Sequence, residues 1–261
     1  MAKSKRYTPP QLKNFIKIFD SLAIKHNSHR VFDDFLDLFI NGFCFNYKID
    51  LENIRSRYSQ KERYTFGRLI QETILILNKE LKVDDTFYDV FGTFYELQSL
   101  TNKYFAQFFT PTTVCTFMAQ ILEPQQKEFI SDPCCGSGRL SLAANSVNIG
   151  AFHTLIDKDY TCAKMSALNL MLHGIDGIVI CDNGLLPGRD FNGAFIVNRF
   201  LGKERIPRIE FVNDVNRAYN YVRARLGVEE KLGPKKNETK IEHNDIKDLI
   251  VNPKTNQISM F

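Results

Sequence analysis

The chain has 261 residues, of which 44% are hydrophobic and 25% charged, and its formal net charge is +4. This length allows one α/β domain with an appendage or two small domains. The apolar runs, such as residues 74–77, are far too short to span a bilayer, and no apolar run follows the basic N-terminus as in a signal peptide. We therefore expect a cytoplasmic protein without membrane association.

The cysteines give no sign of a metal site or a disulfide framework. They show neither a Cys-x-x-Cys spacing nor histidine companions at the distances typical of zinc ligands. We expect reduced thiols, several of them buried, at the six positions Cys44, Cys115, Cys134, Cys135, Cys162 and Cys181.

Basic side chains concentrate in two segments. Residues 1–30 carry seven Lys or Arg against one acid, and residues 198–226 carry seven against three acids. Such segments could contact the phosphates of DNA. Solvated helix faces explain the same pattern equally well.

The first part of the chain, residues 1–106, has the pattern of a helical region. Its apolar side chains recur at helical spacing, which predicts buried stripes rather than a ligand site. The two clearest stripes are Phe32, Phe35, Leu36, Leu38 and Phe39, and Phe66, Leu69, Ile70, Ile74 and Leu77.

From about residue 127, short apolar runs alternate with helical segments, which favours a parallel sheet with right-handed crossovers. Helices are predicted at 112–122, 138–147 and 160–173. The predicted strands are 128–131, 151–156, 177–181 and 193–197.

The C-terminal part is less regular. Residues 206–212 fit either a strand or the approach to a helix, and after residue 228 apolar residues become sparse. The sequence therefore predicts three regions: a helical region at 1–106, an α/β domain at 107–227 and a mobile tail at 228–261.

Two motifs in the α/β region carry a family resemblance. Residues 132–138 read Asp-Pro-Cys-Cys-Gly-Ser-Gly between a predicted strand and a predicted helix, and residues 107–111 read Gln-Phe-Phe-Thr-Pro. Together they resemble the S-adenosylmethionine-dependent DNA methyltransferases that modify adenine at N6, and are similar to the M subunits of type I restriction-modification enzymes. The resemblance implies a Rossmann-like methyltransferase domain with a mainly parallel sheet, truncated relative to the seven-stranded fold.

The resemblance also implies a set of cofactor contacts. Asp132 would receive the ammonium group of S-adenosylmethionine, Asp157 the ribose hydroxyls, and residues 182–183 the adenine. Asp157 and Asp182 could instead simply cap turns or helices. The full set of expected cofactor-binding residues is Phe109, Thr110, Pro111, Asp132, Cys134, Gly136, Gly138, Asp157, Asp182 and Asn183.

The catalytic tetrapeptide of the family, Asn/Asp-Pro-Pro-Phe/Tyr, is not found after the fourth predicted strand. Asn198 stands where the Asn of the family would hold the target amine, and Phe200 could replace the aromatic residue that stacks on the flipped base. Both prolines are missing and Arg199 lies between these two residues. We therefore treat Asn198 and Phe200 as catalytic candidates in a protein whose catalysis could be weak or lost.

Two functions follow from the resemblance. If the chain is active, it would transfer a methyl group from S-adenosylmethionine to adenine N6 in DNA, with a partner specificity subunit selecting the sequence. The alternative is a catalytically impaired protein of the same fold that binds DNA or a replication or restriction partner.

The last five residues, Gln-Ile-Ser-Met-Phe at 257–261, resemble the pentapeptide with which bacterial proteins bind the replication sliding clamp. In that interpretation Gln257 makes polar contacts while Met260 and Phe261 enter an apolar pocket. A structureless end is the alternative.

Overall fold

The structure is a computed structural model that describes residues 8–82, 87–98, 100 and 107–227. The predicted tail at 228–261, with its clamp-like pentapeptide, lies outside the described residues, so both interpretations stay predictions. The described residues belong to one compact unit that ends at Gly227.

The N-terminal part of the chain folds as helices, as its apolar periodicity predicts. After a 3-10 turn at Pro10–Leu12, the helices are α1 (Lys13–Ala23), α2 (Ser28–Phe43), α3 (Leu51–Arg57), α4 (Gln60–Glu80) and α5 (Val90–Leu97). A reciprocal capping box fixes the start of α4, because Ser59 and Glu62 each bond the backbone N–H of the other.

Phenylalanine rings fill the interior of this helical region. The fully buried rings are Phe15, Phe19, Phe32, Phe35, Phe39, Phe91 and Phe94. Many of them meet edge to face, as do Phe19 and Phe94 with ring centroids 4.7 Å apart. The prediction that the phenylalanine stripes form core is confirmed, although Ile74 of the α4 stripe is 42% exposed.

The α/β region begins with α6 (Thr112–Leu122) and continues with three strands that alternate with two helices. These elements are β1 (Phe129–Asp132), α7 (Arg139–Val147), β2 (Phe152–Asp157), α8 (Tyr160–Leu172) and β3 (Gly177–Cys181). β1 pairs in parallel with β2, and β2 with β3. Each bound lies within one residue of its prediction.

The chain then forms β4 (Ala194–Val197), the short helix α9 (Leu201–Glu204), β5 (Ile209–Val212) and α10 (Val215–Arg225). The ambiguous segment 206–212 therefore holds a strand. The five described strands lie in the order β1-β2-β3-β4-β5. The sheet is mainly parallel, because β1, β2, β3 and β5 run in one direction.

β4 corrects the predicted parallel crossover, because it runs antiparallel to β3. Gly177 pairs with Val197, and Ile180 pairs with Ala194. A parallel return normally requires a crossover helix, and residues 182–193 contain none. Their path is held by Asp182, whose buried carboxylate accepts hydrogen bonds from the backbone N–H groups of Asn183, Gly188 and Asp190.

Buried charge joins the helical region to the α/β region. Lys164 of α8 is 1% exposed, and its ammonium group pairs with Asp33 at 2.5 Å and Asp37 at 3.0 Å, both on α2. A buried cation is tolerated only when it is paired and hydrogen-bonded. The packing of α2 against α8 therefore depends on these carboxylates.

All six cysteines are free thiols, and all but Cys134 are buried. Within the described ranges, no helix combines the length and hydropathy required to cross a membrane.

We predict that His153 makes the fold acid-sensitive. This β2 side chain is fully buried, and neither ring nitrogen has a hydrogen-bond partner. Burial lowers its pKa from 6.5 to about 4. As the pH falls, the unfolded chain binds a proton at this histidine before the folded protein does. The free energy of unfolding should therefore fall by about 1.4 kcal/mol per pH unit between pH 6.5 and about pH 4.

Urea unfolding of the wild type and of His153→Leu at pH 7, 6 and 5 measures this effect. The variant has no group to titrate at this position, so it should gain stability relative to the wild type as the pH falls. A pH-independent difference between the two proteins would contradict the prediction.

Candidate functional site

A cleft of about 370 Å³ opens where β1, β2 and β3 reach their carboxyl ends. This is the edge at which open α/β sheets bind their ligands. Residues of the cleft come from the end of β1 and its following loop, from the end of β2, from residues 183–185 beyond β3, and from residues 107–110 before α6.

The loop after β1 forms one wall of the cleft and requires glycine at two places. Gly136 has φ +56° and Gly138 has φ +82°, both in the left-handed region that other residues rarely adopt. A Cβ atom on Gly136 would lie 2.9 Å from the Phe109 ring. The two walls therefore approach closely only because Gly136 has no side chain.

Asp132 lines the cleft and has one carboxylate oxygen without a partner. Its Oδ1 accepts a hydrogen bond from Cys134 N at 3.1 Å, whereas its Oδ2 is buried and has no partner among the described residues. Burial raises the pKa of this carboxyl group. A cation or hydrogen-bond donor of a ligand would satisfy the free oxygen and favour the ionised form.

Asp157 stands at the end of β2, beside the loop. Its carboxylate accepts hydrogen bonds from Gly136 N at 2.8 Å and from Asp159 N at 2.9 Å. Burial raises its pKa to about 6. It is therefore ionised at pH 8 and can accept further hydrogen bonds from hydroxyl groups of a ligand.

The opposite wall consists of residues 107–110 and is tied to α8. Gln107 donates to Asp159 Oδ2 at 2.8 Å, and Phe109 stacks on Tyr95 with ring centroids 5.9 Å apart. Asp159 also caps α8 by accepting from Thr161 N at 2.7 Å. The Gln-Phe-Phe-Thr-Pro motif thus contributes to the cleft directly.

Seven of the ten predicted cofactor-binding residues line this cleft: Phe109, Thr110, Asp132, Cys134, Gly136, Asp157 and Asn183. The other three do not line the cleft but hold elements next to it. Pro111 begins α6, and Gly138 packs near Ser166 and Leu155. Asp182 is fully buried, and its carboxylate accepts hydrogen bonds from the backbone of residues 183–190 and from Tyr219 Oη at 2.7 Å.

The structure adds lining residues to those predicted from the sequence. They include Gln107, Arg139, Lys158, Asp159 and Leu185. Gln107 belongs to the Gln-Phe-Phe-Thr-Pro motif and could have been predicted from it. Arg139 follows the loop at the first position of α7 and had no signal of its own.

The two catalytic candidates are not brought to the cleft. Because β4 is antiparallel, Asn198 lies beside the start of β3, at the opposite end of the sheet from Asp132 and Asp157. The Asn198 amide nitrogen donates to three backbone carbonyls at the end of α8, those of Leu170, Met171 and Ile175, at 3.1–3.2 Å. This geometry does not bring Asn198, the residue expected to hold the target amine, to the cleft.

Phe200 is also remote from the cleft. It is 42% exposed and lines a separate cavity of about 340 Å³ together with Phe45, Arg199 and Arg208. Both residues follow the antiparallel strand β4, so both lie at the edge of the sheet opposite the cleft. No group of His, Cys, Asp and Glu within the described ranges could hold a metal ion.

Comparison with known sequences connects this geometry to a family. Residues 84–187 match the family model for N-6 DNA methylases. The chain is 30% identical over 122 residues to the type I restriction enzyme MjaVIII methylase subunit of Methanocaldococcus jannaschii, covering 42% of this chain and 20% of that protein. It is 26% identical over 180 residues to the type I restriction enzyme EcoEI methylase subunit of Escherichia coli, covering 64% and 32% respectively.

The chain therefore spans about a fifth to a third of the length of these curated relatives. A solved modification subunit assigned to a type I restriction enzyme of Vibrio vulnificus YJ016 is 22% identical, with a TM-score of 0.27, over 52% of this chain and 27% of that one. The sequence matches confirm the resemblance to N6-adenine DNA methyltransferases and type I modification subunits.

We predict that a side chain at Gly136 lowers the free energy of unfolding. In Gly136→Ala the left-handed backbone should cost about 1–2 kcal/mol, and the Phe109 ring must also move. Gly42→Ala is the matched control, because a Cβ on this α2 glycine meets nothing within 4 Å. Urea unfolding should show a loss for Gly136→Ala alone, and equal changes in both variants would refute the close approach.

Proposed function

We propose that this chain, whose residues 84–187 match the N-6 DNA methylase family, binds S-adenosylmethionine in the cleft at the carboxyl ends of β1, β2 and β3. The observation that carries the proposal is the buried, unpartnered Oδ2 of Asp132. A buried acceptor of this kind lacks a donor, and the α-ammonium group of S-adenosylmethionine would supply one.

The other residues of the cleft fit the remaining parts of the cofactor. The glycine loop allows close approach of the ligand to the backbone, and Asp157 offers a carboxylate to the ribose hydroxyls. Asn183 contributes a polar side chain near the end of β3, where the adenine is expected. When bound, S-adenosylmethionine would supply an electrophilic methyl group on its sulfonium sulfur.

The proposed role of this chain is cofactor binding rather than complete methyl transfer. An acceptor amine must be held in line with the sulfonium methyl group, and the asparagine candidate for that task is instead bonded to the end of α8. We propose that the described residues form the cofactor half of a DNA-modifying site, and that amine-holding groups lie elsewhere.

DNA is the proposed partner class, in line with the family that matches residues 84–187. Both curated relatives are named as methylase subunits of type I restriction enzymes, which supports a multi-subunit context with a specificity subunit. Three arginines of the basic segment 198–226 are already paired with acids: Arg208 with Glu204, Arg217 with Glu210, and Arg225 with Asp176. The attraction of this segment for phosphates is reduced accordingly.

Calorimetric titration with S-adenosylmethionine at pH 8 tests cofactor binding. The wild type should bind, and Asp157→Ala should lose at least about tenfold in affinity, because it removes a charged acceptor for the ribose and the bond to Gly136. Asp50→Ala is the matched control, since this exposed aspartate caps α3 in the helical region. Absence of heat with the wild type, or equal affinities of wild type and Asp157→Ala, would reject the proposal.

A transfer assay with radiolabelled S-adenosylmethionine and mixed-sequence DNA tests the proposal that this chain does not complete methyl transfer by itself. We expect no incorporation into adenine by the chain alone, because Asn198 and Phe200 lie at the other end of the sheet. Phe200→Ala is the informative variant, because Phe200 is partly exposed and its loss should leave the fold intact. Incorporation by the wild type that disappears in Phe200→Ala would restore the assignment made from sequence.

A further inference from the structure

A buried carboxylate, that of Asp89, lies behind the cleft. It precedes α5 and is 3% exposed. Its Oδ1 accepts hydrogen bonds from Gly92 N and Asn169 Nδ2, both at 2.8 Å. Its Oδ2 accepts from Ser137 Oγ at 2.6 Å and from Arg139 Nε at 3.0 Å.

These bonds join the helical region to both walls of the cleft. Ser137 belongs to the glycine loop, and Asn169 of α8 also donates to the Ser137 carbonyl at 2.8 Å. Arg139 extends to the opposite wall, donating to Thr110 O at 3.0 Å, with its guanidinium 5.8 Å from the Phe109 ring centroid. Asp89 is therefore the common acceptor for groups that shape both walls.

Neither Gly92 nor Asp89 can be replaced without disturbing these bonds. A Cβ atom on Gly92 would lie 2.1 Å from Asp89 Oδ2 and 2.4 Å from Ser137 Oγ. All four groups that approach the carboxylate are donors, so an asparagine at this position would turn an NH₂ group toward a donor. A buried network of this kind is stable only when each member is satisfied.

We propose that Asp89 is a positioning residue for S-adenosylmethionine, acting through Ser137 and Arg139 on the loop that receives the amino-acid end of the cofactor. The inference rests on the proposed function of the cleft. It predicts an uneven loss: ligands with the amino-acid end depend on Asp89, whereas the nucleoside part depends on Asp157 and Asn183. A merely structural role would weaken all ligands alike.

The experiment compares Asp89→Asn with Asp34→Asn. Asp34 is a matched control, because it is 4% exposed and accepts from Arg57 at 2.6 Å and Tyr58 at 2.7 Å within the helical region. Each variant is titrated with S-adenosylmethionine and with 5′-methylthioadenosine, which has the same nucleoside, carries a neutral thioether sulfur and lacks the amino-acid end. Thermal unfolding of each variant measures the accompanying loss of stability.

We expect Asp89→Asn to bind S-adenosylmethionine about tenfold or more weakly, whereas its affinity for 5′-methylthioadenosine should change little. The substitution should displace the loop and leave Asp157 and Asn183, which face the nucleoside, in place. Asp34→Asn should bind both ligands as the wild type does, even if it unfolds at a lower temperature. Equal losses for both ligands in Asp89→Asn, or wild-type affinity for both, would overturn the proposal and leave the proposed function intact.

Amide hydrogen exchange tests, without a ligand, whether Asp89 anchors the loop. Backbone amides of residues 134–139 should exchange faster in Asp89→Asn than in Asp34→Asn, because the loop loses its anchor. If the wild type binds neither ligand, the proposed function fails, and unchanged exchange at residues 134–139 would then also reject Asp89 as the anchor of the loop.

Discussion

The direction of β4 is the constraint that decides which side chains reach the cleft. Residues 182–193 return the chain without a helix, and the Asp182 carboxylate holds that path. An antiparallel strand then ends where its neighbour begins, so the side chains after β4 are delivered to the edge of the sheet opposite the cleft. The cleft is consequently built from the ends of β1–β3 and from the segment before α6, and to these groups we assign the proposed cofactor binding.

Buried charges make the helical region part of the site. Lys164 joins α8 to two aspartates of α2, and Arg139 joins the glycine loop to the segment that precedes α5. Such pairs offset their desolvation only when their geometry is kept. A shift of the helices would leave charges unpaired in the interior, and this cost keeps the two regions in one arrangement.

Local patterns made much of this fold predictable. The phenylalanine stripes, the strand–helix alternation and the glycine loop each depend on residues close in sequence, and the structure has them within a residue or two. The direction of β4 depends on how a helix-free connection is held by Asp182, which periodicity does not report. Asp89 was missed for a similar reason: its partners Ser137 and Asn169 are distant in sequence, and an aspartate before a helix looks like an ordinary cap.

Asn198 illustrates what a matching residue does and does not record. It adopts φ +56°, which asparagine tolerates better than most residues, and its side chain satisfies backbone groups of α8 and of Arg208. These bonds give asparagine a structural role at this position, whether or not any methyl group is ever transferred. An asparagine at the expected place after β4 is therefore accounted for by folding alone.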